Sequence, residues 1–493
     1  MSLTQKLAFN TIIQVLGKIL ATVASVIIVI YLTRYLGPGG YGQYTTILAY
    51  LGLFVVLADF GLSIYIAREV PKKEESIEKI VGNVLGLRLV LSIAALILAS
   101  IIIIFMPYEN IIKLGVWAAS FSMFFALMND PLMAIYQINL SMYKASYADV
   151  AGRFFTLILT IFFIKLKMGL IAILMAYNLG NLLNLTINIF WVQAHIKIDF
   201  KFEYSFWKKI FKEAIPLGLM VISGAIYFRL GIIILSLIKT SEEVGIFGAA
   251  YKIIEVLLTF PGMFIGLILP ILSLNLKLNP SRFKSIFQKS FNLMIIWIMP
   301  IAVIGILMAS QIISIIGGIQ FQSAKIPLII LFVALIFSFI NSPFGTVGVA
   351  MGKQKELAWR NIIIILFVSA LNLILVPFFS YNGTAIAVLI GEISMLILTS
   401  WLIYRDLAFF PNLKLLPKAL VSGLIMAISA YLLIHFVPVF SLKFFLSLGL
   451  ISRTLIFILI SVFASIIYLL VLYLMKGYSK RSVYEILGKE DEL

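Results

Sequence analysis

Eight charged side chains lie inside long apolar stretches of the sequence, where an isolated charge is costly. The basic ones are Lys18, Arg88, Arg229 and Lys252, and the acidic ones are Asp59, Asp130, Glu255 and Glu392. A charge at bilayer depth costs at least ~3 kcal/mol on insertion scales, so such residues pair with one another or serve a transported group. The pattern therefore predicts a buried path for a charged cargo.

Lys18 and Arg229 are the strongest candidates for binding that cargo. Lys18 lies about eleven residues into its apolar stretch and Arg229 about fifteen into its own, hence ~16 and ~22 Å deep at ~1.5 Å per residue. Both depths are near the middle of a bilayer, which favours an anionic cargo. The alternative is that each cation pairs with a carboxylate on a neighbouring helix and serves assembly only.

Asp59 and Arg88 are predicted to form an ion pair. Each lies about seven residues from the cytoplasmic end of one of two consecutive apolar stretches, so their depths match. Such a pair can break and reform during a conformational change, because losing one partner leaves a buried charge. Asp59 is therefore also a candidate for ion coupling. Arg88 facing the transport path is the alternative to a structural pair.

The remaining internal charges suggest separate roles. Lys252 and Glu255 are three residues apart on one helix and can satisfy each other, or line the path together. Glu392 has no sequence-local partner, which makes it a candidate carboxylate for proton or sodium coupling. Asp130 precedes Pro131 and is expected at a helix break. Seven amide side chains could hydrogen-bond a polar cargo or join helices: Asn10, Gln14, Asn129, Asn181, Asn184, Asn361 and Asn372.

Composition identifies the elements that carry these residues as membrane helices. Of the 493 residues, 62% are hydrophobic and 12% charged, and the mean hydropathy is +1.11, which no soluble domain approaches. Fourteen stretches reach the roughly 20 apolar residues that cross a bilayer. These predicted segments, TM1 to TM14, span about 7–32, 42–66, 81–105, 111–137, 147–164, 169–193, 214–238, 245–271, 291–309, 326–344, 358–377, 383–404, 418–437 and 453–475.

The distribution of basic residues predicts the orientation. Of the 38 Lys and Arg, 26 fall at the two termini and in every second connection, 8 in the alternate connections and four within the segments. The positive-inside rule then places both termini in the cytoplasm. The net charge of +17 is therefore topological and does not indicate nucleic-acid binding.

Several chemistries are disfavoured by what the sequence lacks. There are no cysteines and only two histidines, His195 and His435, so disulfide, thiolate and His-based metal chemistry are not expected. Gly348–Lys353 has the wrong spacing for a phosphate loop, and no connection is long enough for a nucleotide-binding domain. We expect no cofactor, no metal ion and no enzymatic activity.

A weak internal repeat divides the chain. A shift of 203 residues aligns Gly42 with Gly245 and Tyr44 with Phe247, each at the predicted outer entrance of a helix. An even number of helices per half makes the repeats parallel, with an axis along the membrane normal. The predicted halves are 1–206 and 207–405, with two helices and a cytoplasmic tail in 406–493.

Two groups of motifs resemble a known family over about residues 1–405. The first is Arg34-Tyr-Leu-Gly-Pro38 with Tyr41-Gly-x-Tyr44, then Ala58-Asp-Phe-Gly-Leu62 and Arg68; the second is Met351-Gly-Lys353, Asn372-Leu373 and Tyr381-x-Gly-x-Ala-x-Ala387. Both are similar to the polysaccharide transporter family of the multidrug/oligosaccharidyl-lipid/polysaccharide flippase superfamily. The resemblance implies two six-helix lobes around a central cavity, within twelve to fourteen helices. It also implies that polyprenyl-pyrophosphate-linked oligosaccharides are flipped by alternating access.

On this resemblance, Lys18 and Arg229 would bind the substrate phosphates in the cavity, with Arg88 and Lys252 as further lining candidates. The implied partners are a polyprenyl-linked glycan, the plasma-membrane bilayer and glycan-assembly enzymes. A multidrug or cation antiporter of the same superfamily is the second hypothesis, but it would need an acidic or aromatic cavity. A membrane-embedded glycosyltransferase or ligase would need a large loop with clustered carboxylates or histidines, and every connection here is short.

The orientation predicts how single cysteines label on this cysteine-free chain. Lys284→Cys is expected to stay unlabelled by an impermeant maleimide in sealed cells and to label after permeabilisation, because its connection is predicted to be cytoplasmic. Lys325→Cys, on the opposite side, should label in both conditions. Labelling of position 284 from outside would overturn the topology.

Overall fold

The computed structural model describes residues 3–59, 61–70, 76–194, 196–436, 445 and 447–477. Its regular elements in this part of the chain are all helical, which confirms the all-α class. Lys72, Lys73, His195, Lys443 and the tail after residue 477 lie outside the described residues, as do the sequence expectations that concern them. The α-helices are α1 (Leu3–Asp59), α2 (Leu62–Glu69), α3 (Ile77–Phe105), α4 (Asn110–Ile138), α5 (Met142–Lys165), α6 (Gly169–Gln193), α7 (Tyr204–Ile238), α8 (Ser241–Leu257), α9 (Thr259–Leu278), α10 (Pro280–Leu307), α11 (Ala309–Ile316), α12 (Lys325–Ala350), α13 (Gln354–Leu407), α14 (Leu415–Phe436) and α15 (Leu450–Leu474).

Two of these helices each contain a sharp break that the sequence analysis expected as a loop. In α1 the break is at Gly37, whose φ of 65° suits glycine, and Pro38 follows it. In α13 the break is at Ser380, a non-glycine residue with φ 50°. The Ser380 hydroxyl donates a 2.5 Å hydrogen bond to Glu243 Oε1 at the start of α8. That hydrogen bond helps to hold a backbone conformation that serine rarely adopts.

The described helices identify a multi-pass membrane protein. Eleven of them are long and apolar enough to cross a bilayer, judged over the described ranges alone. Two of the eleven, Ile13–Asp59 and Gln354–Leu407, have 47 and 54 residues, enough for two crossings each. Helix α7, with 35 residues, corresponds to the predicted TM7. Each of the fourteen predicted segments therefore has a helical counterpart.

The described residues fall into two compact units. The first comprises Met1–Gly248 and Gln354–Ser380, and the second comprises Ala249–Lys353 and Tyr381–Leu493. Much of the first unit's core is formed where α2, α3, α4 and α6 meet, with Tyr65, Leu132 and Tyr136 fully buried. In the second unit, Phe287 and Phe291 of α10 make edge-on contacts with Phe344 of α12, at centroid distances of 5.2 and 5.9 Å.

Amide side chains join α4 to α6 in the first unit. Asn188 donates to Asn129 at 2.8 Å, Asn181 donates to the Ser122 hydroxyl at 2.6 Å, and Asn178 donates to the Ala118 carbonyl at 2.6 Å. Asn129 and Asn181 therefore serve helix assembly here, which was one of the two roles considered for them. These hydrogen bonds stiffen the bundle because no water competes for them in a lipid-surrounded core.

The glycine pair Gly82 and Gly86 on α3 packs against an extended segment of the chain. A methyl group at Gly82 would lie 2.5 Å from the carbonyl oxygen of Asp199, and one at Gly86 would overlap the carbonyl oxygen of Lys201. The Lys201 amide also donates a 3.0 Å hydrogen bond to the Gly82 carbonyl. The two glycines thus receive the extended segment that leads into α7.

The second half of α1 and the start of α8 meet in a reciprocal contact. A methyl group at Gly42 would overlap the Ser241 carbonyl oxygen, and one at Gly245 would overlap the Pro38 carbonyl oxygen. The same two methyl groups would lie 2.9 Å from the Gly245 amide nitrogen and 3.0 Å from the Gly42 amide nitrogen. Only glycine permits this approach at both positions.

The residues of this contact correspond to one another under the repeat shift of 203 residues: Pro38 to Ser241, Gly42 to Gly245, and Thr45 to Gly248. Thr45 and Gly248 also touch each other. Gly42 meets Ser241, the counterpart of Pro38, and Gly245, the counterpart of Gly42, meets Pro38. A reciprocal contact of this kind has the form of a two-fold symmetric interface. The reciprocity supports the 203-residue register from an observation independent of the motif alignment. The lobe boundaries at 206 and 405 stay a prediction.

The contact predicts a specific disulfide. A methyl group at Gly248 would lie 3.3 Å from Thr45 Cβ, close to the ~3.5–4.5 Å that a disulfide requires. The double variant Thr45→Cys/Gly248→Cys should therefore cross-link on mild oxidation. Proteolytic cleavage between the two positions followed by non-reducing electrophoresis would detect it. Thr46→Cys/Gly248→Cys is the matched control, and cross-linking of the control in preference to the Thr45 pair would contradict the register.

Candidate functional site

Arg229 lies on α7 with its guanidinium against the backbone of α1. Its Nη1 is 3.4 Å from the carbonyl oxygen of Leu48, a long hydrogen bond. A methyl group at Gly52 would overlap the guanidinium itself, so glycine at 52 leaves the space that the arginine head occupies. The side chain is half-buried. The arginine is thus placed by backbone atoms of a neighbouring helix.

In the described part of the chain, the Arg229 guanidinium makes this long hydrogen bond, and no carboxylate forms an ion pair with the guanidinium. A guanidinium has five N–H donors, so most of its donor capacity is open to a ligand. Arg229 is nine residues before the end of α7, which places it ~14 Å from that end at ~1.5 Å per residue. The arrangement favours the binding role considered for Arg229 over an assembly role.

Lys18 lies on the first half of α1, where that helix crosses α5. A methyl group at the adjacent Gly17 would come 2.8 Å from Ser146 Cβ, and Asn10 donates a 2.5 Å hydrogen bond to the Leu140 carbonyl. The Lys18 side chain is exposed. Since Ser146 belongs to the first turns of α5, Lys18 lies nearer to the predicted cytoplasmic end than its place in the apolar stretch suggested.

Arg88 is fully buried and binds three acceptors. Its Nη2 is 2.6 Å from Asp59 Oδ1 and 3.5 Å from Asp130 Oδ2, and its Nη1 donates a 3.0 Å hydrogen bond to the Ala58 carbonyl. The Asp59 side chain is 24% exposed and that of Asp130 50% exposed, whereas Arg88 is 0% exposed. The ion pair expected between Asp59 and Arg88 is therefore present, and the buried cation has no exposed surface to offer a ligand.

Asp130 was expected at a helix break and is instead part of this cluster. Helix α4 continues from Asn110 to Ile138 through Pro131, so the proline does not end it. Pro131 has no N–H group and cannot donate the usual backbone hydrogen bond to the preceding turn. The neighbouring helices support α4 at this point. With one arginine and two aspartates, the cluster carries more acidic than basic groups.

The Lys252–Glu255 pair and Glu392, all in the second unit, differ in how exposed their side chains are. Lys252 Nζ is 2.6 Å from Glu255 Oε2, with the side chains 38% and 48% exposed, so the expected local pair is present. Glu392 is only 4% exposed and has contacts of its own. Glu392 is therefore buried inside the second unit, whereas Lys252 and Glu255 lie at the surface of the same unit.

Arg153 is the charged residue that the sequence analysis misplaced. It was counted with the basic residues of the cytoplasmic connection before TM5, although it falls six residues inside that predicted segment. Helix α5 begins at Met142 and has 24 residues, so Arg153 is at its centre. Its guanidinium carbon is 5.9 Å from the Tyr177 ring centroid, and its Nε is 3.6 Å from Asp149 Oδ1. The spacing of four between Asp149 and Arg153 is typical of a helix and could have extended the prediction.

The chain is similar to known proteins in both sequence and structure. A family model described as "Polysaccharide biosynthesis protein" matches residues 7–276, more than half of the chain. The chain belongs to this family. Its α1, α5 and α7, which carry Lys18, Arg153 and Arg229, lie within the matched range.

Individual relatives agree with the assignment. The chain is 24% identical over 436 residues to the "Putative O-antigen transporter" of Shigella flexneri, covering 82% of this chain and 99% of the relative. It is similar in structure to the lipid II flippase MurJ in an inward closed conformation, with TM-score 0.74, 16% identity and coverage of 97% and 99%. An inward-facing MATE family multidrug transporter of the MOP superfamily matches with TM-score 0.63, 16% identity and coverage of 81% and 98%. This family member therefore shares the fold of these two solved structures.

The Arg88 cluster predicts a stability effect separate from any transport effect. Arg88→Met should destabilise the protein by about 3 kcal/mol, because it leaves carboxylates without their buried partner. Adding Asp59→Asn should recover part of that loss. Thermal unfolding in detergent measures both, with Arg282→Met as a control at an exposed arginine. Arg88→Met unfolding at the temperature of the control would contradict the assigned role.

Proposed function

We propose that this family member is a flippase that moves polyprenyl-(pyro)phosphate-linked oligosaccharide or polysaccharide precursors from the cytoplasmic to the outer leaflet. The observation that carries the proposal is Arg229. It is a mid-helix cation that rests on the backbone at Gly52 and has no carboxylate partner among the described residues. An uncompensated cation at this depth suits a phosphate group, which supplies the counter-charge only when substrate is bound.

Comparison with relatives supports the same function. The Shigella relative is named as an O-antigen transporter and the similar structure as a lipid II flippase, and both cargoes fit a family described by polysaccharide biosynthesis. We propose that the protein resides in the plasma membrane with both termini in the cytoplasm. Its partners would be the lipid-linked glycan, the surrounding bilayer and the enzymes that assemble the glycan.

The proposed mechanism is alternating access between two lobes, residues 1–206 and 207–405. The diphosphate headgroup would meet Lys18 first and then Arg229, since Lys18 is nearer the predicted cytoplasmic end. The prenyl tail stays in the bilayer, so only the headgroup needs a polar path. Lys252 is a further candidate for the path, and Arg88 acts by holding Asp59 and Asp130.

Energy coupling is assigned to carboxylates. Glu392 is buried within its unit, where binding a proton or sodium ion would change the local charge balance. Asp59 is partly exposed beside Arg88 and is the second candidate. An ion that protonates or binds either group would alter its interactions with neighbouring helices and so bias the lobes.

A multidrug or cation antiporter is the competing function, since MATE transporters share the fold. A cation exporter should offer unpaired carboxylates at mid-depth. Among the described residues of the first unit, Arg229 is instead a mid-helix cation with open binding capacity, which favours an anionic cargo.

Removal of either proposed phosphate-binding cation should abolish transport. Arg229→Ala and Lys18→Ala are expected not to complement a strain that lacks its lipid-linked oligosaccharide flippase, while expression and thermal stability remain normal. Lys239→Ala, at the C-terminal end of α7, is the matched control and should complement. Complementation by both test variants at wild-type level would sink the proposal.

The placement of Arg229 can be tested by a variant that keeps its charge. Gly52→Ala should push the guanidinium aside and lower transport several-fold, because the added methyl group overlaps the arginine head. Fold should be retained, since a flexible side chain yields more easily than a backbone.

A further inference from the structure

Arg153 occupies a position that demands an aqueous neighbour. It is at the centre of α5, yet its side chain is 34% exposed and that of Asp149 is 32% exposed. Charged groups at mid-depth are very costly against acyl chains and face a bundle interior or water-filled cavity instead. The exposed part of Arg153 therefore points to water or to a polar cargo.

A tight crossing of α5 and α6 fixes this arginine. A methyl group at Gly152 or at Gly180 would lie 2.8 Å from the carbonyl oxygen of the other residue. Arg153 directly follows Gly152, and Tyr177 lies three residues before Gly180. The close approach of the two backbones therefore places the guanidinium beside the tyrosine ring, an arrangement that stabilises the cation without neutralising it.

Arg153 and Lys18 are linked by one face of α5. Ser146, Asp149 and Arg153 are spaced by three and four residues, so they share a helix face. Ser146 is the residue that meets Gly17, the neighbour of Lys18. From the level of Lys18 this face continues past Asp149 to Arg153, seven residues or ~10 Å further along α5.

Arg153 also lies between Lys18 and Arg229 in depth. It is twelve residues before the end of α5, whereas Arg229 is nine residues before the end of α7. At ~1.5 Å per residue, the two arginines are ~18 and ~14 Å from the helix ends that are predicted to face outward. Arg153 is therefore the nearer of the two to the predicted cytoplasmic side.

We propose that Arg153 is a third substrate-binding cation, which receives the diphosphate between Lys18 and Arg229. The inference rests on the proposed flippase function. Asp149 holds the arginine while no substrate is present. Its 3.6 Å separation from Nε is longer than a hydrogen bond, so an incoming phosphate that binds the guanidinium bidentately displaces it.

The test uses the full-length protein in nanodiscs with geranylgeranyl diphosphate as the probe and geranylgeraniol as the phosphate-free control. Arg153→Gln should lower affinity for the diphosphate about tenfold and leave affinity for the alcohol unchanged. Lys165→Gln removes one charge from the exposed end of the same helix and should bind both compounds as wild type does. Asp149→Asn should raise diphosphate affinity at least threefold.

The outcomes separate this inference from the function on which it rests. If wild type does not prefer the diphosphate to the alcohol, the proposed function falls and the inference with it. If wild type shows the preference and Arg153→Gln retains it, only the role of Arg153 is overturned. Equal losses for diphosphate and alcohol would assign Arg153 to packing and also overturn it. Unchanged or weaker binding by Asp149→Asn would remove the role given to Asp149.

Discussion

The cost of a charge surrounded by lipid governs how this protein uses its internal ionisable residues. That cost is met in two ways, and the two can be told apart by what surrounds each group. Arg88 is sealed from solvent and bound by two carboxylates and a carbonyl, so its charge is satisfied within the bundle. Arg229 rests on backbone and has no carboxylate partner among the residues that the structure describes. A residue of the first kind holds helices together, and one of the second kind is ready for a charged ligand.

Glycine is the common device that places the long cations. Gly17 beside Lys18 meets α5, Gly52 lies under the Arg229 head, and Gly152 beside Arg153 meets α6. In each case the missing side chain lets backbone or a cationic head come closer than any other residue would allow. Arg229 gains a defined position in this way without a carboxylate partner among the described residues, whereas Arg153 also has Asp149 beside it. The positive charges can therefore be positioned and still remain available.

The sequence predicted the helices well because hydrophobic length is a direct physical requirement of the bilayer. It predicted the Asp59–Arg88 pair from matching depth, and the Lys252–Glu255 pair from spacing. It misplaced Arg153 because this charged residue, six residues inside the predicted TM5, was assigned to the basic connection that precedes the segment. It missed the role of Asp130 because Pro131 resembles a break, although surrounding helices can support a proline. The cradle at Gly52 depends on a contact between residues 177 positions apart, which no local pattern reveals.

The reciprocal contact at Gly42 and Gly245 bears on how a duplicated protein can diverge. In a true homodimer one substitution appears on both sides of the axis, so every change must suit both partners. Within a single chain each copy can change alone, and the paired positions Pro38 and Ser241, and Thr45 and Gly248, already differ. The residues at the centre are both glycine, because there each backbone occupies the space where the other's side chain would be. Away from that centre, each copy is free to change without a matching change in the other.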